Sequence, residues 1–286
     1  MRTVETALVQ GVRSLAECSE TPRLDAQLLM AQTLGRPRSW LVAHADSVVS
    51  ARKLDRFMRL CERRACGIPI AYLTGRGSFY GRELAINGDV LVPRPETEQL
   101  IEVTLEFLRT SRKMNARILD VGTGSGAIAI TIAAELPEAI VDATDISPDA
   151  LRVARRNARR HGVQRRCTFY RGDLTRPVRG MRYDVIIANL PYVPTTSIPV
   201  APSPLSFEPN VALDGGNDGL AVYRRLMDCA ADVMCADAFL VMEGAPPTIE
   251  RLKALAIVAF PGARVEAGKD LSLRDRYVCV HRQVRR

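Results

Sequence analysis

The sequence predicts an α/β chain: a mostly parallel, doubly wound sheet with an antiparallel edge, preceded by a small all-helical domain. Three observations lead there. From about residue 94 onward, short β-branched runs alternate with helical segments, the pattern that builds a parallel sheet. One of these runs, Arg117-Ile118-Leu119-Asp120-Val121, leads straight into a glycine loop and an apolar helix. Residues 1 to about 72 instead carry helical periodicity throughout.

In the helical part, Ala26, Leu28, Leu29, Met30 and Leu34 mark one amphipathic helix, stopped at Gly35 with Pro37 beyond. Leu54, Phe57, Met58, Leu60 and Cys61 mark another. No catalytic constellation falls here, so residues 1–75 read as a docking domain. A hairpin linker is expected over residues 76–93, with Phe79 to Ile86 and Val90 to Val92 flanking the turn signal Asn87-Gly88-Asp89. Residues 94–286 form the third region, starting with Pro93-Arg94-Pro95-Glu96-Thr97-Glu98 and a helix to about Leu108.

The glycine loop is Gly122-Thr123-Gly124-Ser125-Gly126, followed by a buried helix from Ala127 to Glu135 that ends near Pro137. Strand, glycine loop and helix together bring backbone N–H groups close to a ligand, and a Cβ at the glycines would block that approach. A second strand, Ile140 to Asp145, ends in an acid placed to accept from both ribose hydroxyls of a nucleoside. The loop alone also fits a dinucleotide fingerprint, with Gly122, Gly124 and Ala127 at the required spacing. Asp120 favours S-adenosylmethionine, whose ammonium calls for an acidic neighbour. Ser147-Pro148-Asp149 caps the next helix. Thr168 to Leu174 reads as a third strand, with Asp173 placed to accept from an adenine amino group and Leu174 to pack on its ring.

Residues 183–192 read Tyr-Asp-Val-Ile-Ile-Ala-Asn-Leu-Pro-Tyr. The apolar run is a buried strand that stops at Asn189, because Pro191 and Pro194 forbid its continuation. An amide side chain and a backbone carbonyl at a strand end, followed by an aromatic ring, can grip a planar –NH2 group. Asn189, Leu190, Pro191 and Tyr192 are therefore the candidate catalytic and substrate-binding residues, with Asn189 also beside the cofactor. A dehydrogenase has no use for this segment, which tips the glycine loop toward methyl transfer. Later strands are expected at Phe239 to Met242, Arg264 to Glu266 and Tyr277 to Val280, the last two as the antiparallel edge. Pro194 to Asp218 reads as a long loop beside the site.

The 286 residues suffice for two domains, and no apolar run approaches transmembrane length. Seven scattered cysteines without a Cys-x-x-Cys pair exclude a disulfide framework and point to the cytoplasm. His44, His161 and His281 have no partners at ligand spacing, which excludes a metal site built on them. The net charge of +8 gathers partly in Arg155, Arg156, Arg159, Arg160, Arg165 and Arg166. A solvated helix face is the favoured reading of that cluster, and direct nucleic-acid binding the less favoured one.

Together these segments resemble the HemK/PrmC family of protein-(glutamine-N5) methyltransferases. Pro22-Arg23-Leu24-Asp25-Ala26, Pro69-Ile70-Ala71-Tyr72-Leu73-Thr74-Gly75, Leu91 to Glu98, Asp120 to Gly126, Phe207 to Leu213 and Arg274-Asp275-Arg276 carry the resemblance over nearly the whole chain. It implies a class I, Rossmann-like methyltransferase domain that uses S-adenosylmethionine. It also implies a release factor as protein partner, modified at the glutamine of its Gly-Gly-Gln loop in translation termination. A monomer is expected. Two residues or blocks depart from the family pattern. Leu190 stands where the family has a second proline, as in the motif of rRNA adenine dimethyltransferases, and Glu243-Gly244-Ala245-Pro246-Pro247 lacks the residues that usually follow that glutamate. An RNA adenine N6 amino group, a glutamine of a ribosomal protein, and a non-catalytic cofactor-binding adaptor are the alternatives.

Overall fold

The computed structural model describes residues 2–200 and 203–282. The chain divides into two compact units, Met1–Arg76 with Pro199–Phe207, and Gly77–Ile198 with Glu208–Arg286.

The first unit is built on helices α1 (Val4–Leu15), α2 (Pro22–Leu34), α3 (Arg38–Ala43), α4 (Ala51–Ala65) and α5 (Ile70–Thr74). Thr3 caps α1 by accepting from the Thr6 N–H, and Gly35 ends α2 in the left-handed region at φ +66°. Leu15, Ala26, Leu29, Met30, Phe57 and Cys61 are buried in its core. Gly11 lets α1 and α4 approach, since a Cβ there would lie 2.4 Å from the Phe57 ring. Asp25 joins α2 to α4 by accepting from Arg64 at 2.7 Å.

The second unit opens with a two-stranded ribbon, β1 (Arg76–Phe79) and β2 (Arg82–Ala85). Its turn is at Tyr80-Gly81, both at positive φ, and not at Asn87-Gly88-Asp89 as the sequence suggested. The Asn87 amide donates to Asp89 at 2.7 Å and accepts from the Asp89 N–H, so that triplet closes on itself as a local turn. Val90 to Val92 is not a strand. The expected linker thus groups with the sheet unit from Gly77 on.

The main sheet has seven strands: β3 (Arg117–Val121), β4 (Ile140–Asp145), β5 (Cys167–Arg171), β6 (Tyr183–Ala188), β7 (Met234–Glu243), β8 (Arg264–Lys269) and β9 (Asp275–His281). Their order is β5-β4-β3-β6-β7-β9-β8, parallel through β7 and antiparallel at β9 and β8. One layer of helices is α6 (Glu98–Thr110), α7 (Ala127–Glu135) and α8 (Pro148–Arg160); after the short α9 (Asn210–Leu213), α10 (Ala221–Ala230) and α11 (Ile249–Ala259) form the other. The doubly wound sheet and its antiparallel edge are as the alternating pattern predicted. The strand expected over residues 168–174 stops at Arg171, because Gly172 takes φ +156° and Leu174 φ +49°. Glu98 to Thr110 starts after a 3₁₀ turn at Pro95–Thr97.

Asn157 of α8 ties three segments together. Its fully buried amide accepts from the Ala85 N–H at 2.7 Å and donates to the Ala85 and Ser125 carbonyls at 3.0 and 2.9 Å. The Ser125 bond pins the glycine loop from below. Removing the amide leaves buried backbone groups unpaired, so Asn157→Ala is expected to lower the unfolding free energy by about 2–4 kcal/mol. Urea denaturation measures it; a loss under about 0.5 kcal/mol would contradict this role.

Candidate functional site

Strand order reverses between β3 and β6: the chain runs from β3 outward through β4 and β5, then returns to β6 on the other side. Ligand crevices in open parallel sheets form at the carboxyl ends of such strands. Val121 pairs with Ala188 here, so Gly122 and Asn189 leave the sheet side by side. A cleft of about 420 Å³ opens at this point.

Of the residues expected to bind the cofactor, Gly122, Gly124, Asp145, Asp173, Leu174 and Asn189 line the cleft. Leu190 and Pro191 line it as well. Thr123, Ser125 and Gly126 do not. Thr123 donates its hydroxyl to Asp120 at 2.6 Å, Ser125 faces Asn157, and Gly126 packs under the loop where a Cβ would crowd Ile130 at 2.8 Å. These three shape the loop from beneath rather than line the cleft. Asp120 joins them. It is 1 % exposed, and its Oδ2 accepts from Thr123 and from the Ala129 N–H, which holds the loop on the start of α7. Burial pushes the Asp120 carboxyl up to about 7. Asp120 does not line the cleft, but its Oδ1 has no hydrogen-bond partner, so one carboxylate oxygen stays unengaged beside this internal role.

The remaining loop geometry suits a nucleoside-bearing ligand. Gly124 takes φ +55°, and a Cβ built there would meet no atom within 4 Å, so the glycine backbone faces open cleft. Across from it, each Asp145 carboxylate oxygen accepts one backbone N–H at 2.8 Å, from Gly124 and Ser147. Each oxygen keeps a lone pair for a hydroxyl. Burial raises the Asp145 carboxyl, and the N–H groups of Ser147, Gly124 and Ile146 oppose the rise. Asp173 has a further partner: Arg225 of α10 donates to both of its oxygens at 2.5 Å, so an adenine amino group there would share the carboxylate with a guanidinium. The glycine cradle and the Asp145 carboxylate fit the methyl donor that the sequence suggested.

Asn189 is half-buried, and its Nδ2 donates to the Thr97 hydroxyl at 3.0 Å. Its Oδ1 makes no hydrogen bond among the described residues and is left free to accept. The next peptide is clamped by Tyr223 of α10, which is fully buried. The Tyr223 hydroxyl accepts from the Leu190 N–H at 3.1 Å and donates to the Glu243 carbonyl. Proline at position 190 would have no N–H to give Tyr223. The leucine side chain is also buried and lies against Gly122, where a Cβ would come within 2.8 Å of Leu190 Cδ2. Leu190 therefore has two anchors in this chain that compensate for the missing ring. Tyr192 does not line the cleft; its ring is half-buried and its hydroxyl donates to Glu243 Oε1 at 3.0 Å. Burial, with Glu243 close by, raises the Tyr192 phenol well above its usual value.

Sequence reasoning missed Thr97, Tyr223 and the role of Glu243. The signal for Thr97 was its place within Pro93 to Glu98, a block noted for resemblance alone. The Pro194 to Asp218 stretch proves partly ordered: 3₁₀ turns at Thr195–Ser197 and Pro204–Phe207, then α9, whose Asn210, Val211 and Ala212 line the cleft. Glu208, buried, accepts from the Val92 N–H at 3.1 Å and pairs with Arg94, which joins this stretch to the 92–97 segment. Ala201 and Pro202 lie outside the described residues. The arginines of α8 are exposed; Arg155 donates to the Phe169 carbonyl and Arg160 pairs with Glu83. His44 stacks on Trp40, His161 meets the Glu83 carbonyl and His281 packs on Phe239, all away from the cleft.

Residues 6–75 match the PrmC N-terminal domain model, and residues 100–199 match the methyltransferase small domain model. The release factor glutamine methyltransferase of Moorella thermoacetica is 39% identical over 284 residues, 98% of this chain and 99% of that protein. The enzyme of the same name from Bacillus subtilis is 39% identical, with 98% of each chain covered. Among solved structures, a methyltransferase from Pyrococcus furiosus superposes with a TM-score of 0.52 at 18% identity, over 80% of this chain and 99% of that one. A Thermus thermophilus 16S rRNA N2 G1207 methyltransferase gives 0.54 at 14% identity, over 73% and 50%. These two show the shared fold. Identity of 39% to these enzymes over nearly the full length, joined to a glycine-loop cleft beside an Asn-x-Pro-Tyr strand end, settles the family: the chain is a member of the release factor glutamine methyltransferases.

Proposed function

We propose that this enzyme transfers a methyl group from S-adenosylmethionine to the side-chain amide nitrogen of the glutamine in the Gly-Gly-Gln motif of a peptide chain release factor. The observation that carries the assignment of residues is the Asn189 amide, held through Nδ2 with its Oδ1 free at the edge of the glycine-loop cleft. The cofactor supplies a methyl group made electrophilic by an adjacent sulfonium. Gly122, Gly124 and Asp145 are the residues that would hold it.

An amide nitrogen is a weak nucleophile, because its lone pair is delocalised into the carbonyl. Asn189 Oδ1 and the Leu190 carbonyl accept the two N–H bonds of the substrate amide and favour a geometry with more lone-pair density on nitrogen. Pro191, at the cleft wall, fixes the plane of that amide, and Tyr192, tied to Glu243, holds the strand end behind it, so that positioning supplies much of the rate. Tyr223 fixes the Leu190 peptide whose carbonyl is one of the two acceptors. No strong general base is needed, since the methylated nitrogen is acidic enough to give its proton to water. The helical unit supports docking of a protein substrate, and its match to the PrmC N-terminal domain favours a release factor over bare RNA. Seven unpaired cysteines support work in the cytoplasm.

Asn189→Ala is expected to lower kcat on release factor by about 10²–10³-fold while cofactor affinity stays within about threefold. Methylation kinetics and calorimetry of S-adenosylmethionine binding check it, and a parallel loss of both would overturn the role given to Asn189. In Tyr223→Phe the Leu190 N–H loses its buried partner, worth about 1–3 kcal/mol. The expected result is a lower Tm together with a kcat reduced about tenfold; unchanged turnover would show that the clamp does not serve the Leu190 carbonyl.

A further inference from the structure

The turn that closes the antiparallel edge has no part in the chemistry above, yet its side chains are ill suited to water. Residues 270–274 read Asp-Leu-Ser-Leu-Arg and join β8 to β9. Leu271 is 95 % exposed and Leu273 77 % exposed. Leu273 also stands at φ +60°, a left-handed conformation that strains a leucine and suits a glycine. The backbone between them is braced. Asp270 is buried at the base of the turn, where its Oδ1 accepts from the Ser272 and Arg274 N–H groups at 2.9 and 3.1 Å. Its Oδ2 accepts from the Arg276 guanidinium at 3.2 Å, and its carbonyl accepts from the Leu273 N–H at 2.9 Å. Two apolar side chains are thus held out in water on a fixed frame, one of them at a strained position.

The place of the turn in the fold points to what covers the leucines. β7 runs parallel to β6, with Met242 opposite Ala188, and β9 pairs Tyr277 with Glu243 in the antiparallel sense. The turn before β9 therefore emerges at the sheet edge where β3 and β6 end in Gly122 and Asn189. In the strand order β5-β4-β3-β6-β7-β9-β8, Asp145 and Asp173 lie on the β4 and β5 side of Asn189, and the turn lies on the other. Arg274 reaches Glu96 at 3.8 Å, and the next residue, Thr97, accepts from Asn189 Nδ2 at 3.0 Å. The turn is continuous with the rim that receives the substrate amide and stands away from the glycine loop.

We propose that Leu271 and Leu273 form a docking surface for the protein substrate, where they meet an apolar patch of the release factor beside its Gly-Gly-Gln loop. The inference rests on the substrate reading above and adds the surface that holds the body of that substrate. A glutamine carried on a loop reaches Asn189 only when the protein behind the loop lies against the rim of the site. Apolar contact there supplies affinity remote from the reacting nitrogen, and the braced turn offers it with little further ordering on binding. A phosphate backbone would gain nothing from two leucines, so the surface fits a protein.

The test is a full-length double variant, Leu271→Ser with Leu273→Gly, assayed on intact release factor beside the parent and beside Leu271→Met with Leu273→Met. Calorimetry of S-adenosylmethionine binding, Tm and sedimentation are measured on all three. The serine–glycine variant is expected to raise KM for the release factor about tenfold. Its kcat at saturation should stay within about twofold of the parent. Cofactor affinity should be unchanged and Tm should not fall, because glycine relieves the φ at position 273. The methionine variant keeps the apolar surface and should hold KM within about twofold of the parent. Parental KM in the serine–glycine variant would overturn the proposal, and so would an equal rise in KM in the methionine variant. A parent that sediments as a dimer beside a monomeric serine–glycine variant would overturn it as well, by giving the leucines to a second copy of the chain. A parent that leaves the release factor unmethylated brings down the substrate reading and the docking surface together. An active parent with unchanged KM in the serine–glycine variant brings down the docking surface alone.

Discussion

The parallel pairing of β3 with β6 is the constraint from which the site follows. With Val121 opposite Ala188, the glycine loop and the Asn189 segment must leave the sheet next to each other. Position 122 favours glycine, because its φ is +76° and a Cβ there would come within 2.8 Å of Leu190 Cδ2. The same contact explains how two motifs nearly seventy residues apart in sequence become one crevice. It also sets a division of labour. The β3 side presents backbone and the Asp145 carboxylate, while the β6 side presents an amide oxygen and a carbonyl.

Much of the surrounding polar structure holds that pair of strand ends in place. Asn157 supports the glycine loop from α8, and Tyr223 supports the Leu190 peptide from α10, so each helix layer fixes one half of the crevice. A third support comes from the segment after Val90. Thr97 reaches Asn189, while Arg94 and the Val92 N–H meet Glu208. Two of the blocks that carry the family resemblance, Leu91 to Glu98 and Phe207 to Leu213, are thus joined through Glu208 beside the site. Leu190 fits this scheme rather than breaking it: its N–H and its side chain give the loop anchors that a proline would supply through ring stiffness.

The fold was legible because its signals are local. β-branched runs, glycine at the loop and proline after Asn189 each act within a few residues, and they placed Arg117–Val121, Ala127–Glu135 and Ile140–Asp145 where they are found. The hairpin turn was misplaced because Asn87-Gly88-Asp89 carries a strong turn signature that closes on itself, while the true turn puts Tyr80, a residue seldom found at positive φ, in the left-handed region. At the site, Gly122, Gly124, Asp145 and Asn189 were visible from motif spacing and line the cleft. Those that orient them were not. Thr97, Tyr223 and Glu243 lie 92, 33 and 51 residues from their partners Asn189, Leu190 and Tyr192, and only the folded sheet brings them together. Arg225 was hidden for the same reason, since it reaches the Asp173 carboxylate across 52 residues.

The most direct test of the account is peptide mass spectrometry of a purified release factor incubated with this enzyme and S-adenosylmethionine, with protein-free rRNA treated in parallel. The account predicts one added methyl group, on the glutamine of the Gly-Gly-Gln peptide, and none in the RNA. Methyl groups in the RNA with an unmodified Gly-Gly-Gln peptide would contradict it and would make Leu190 the mark of a different substrate.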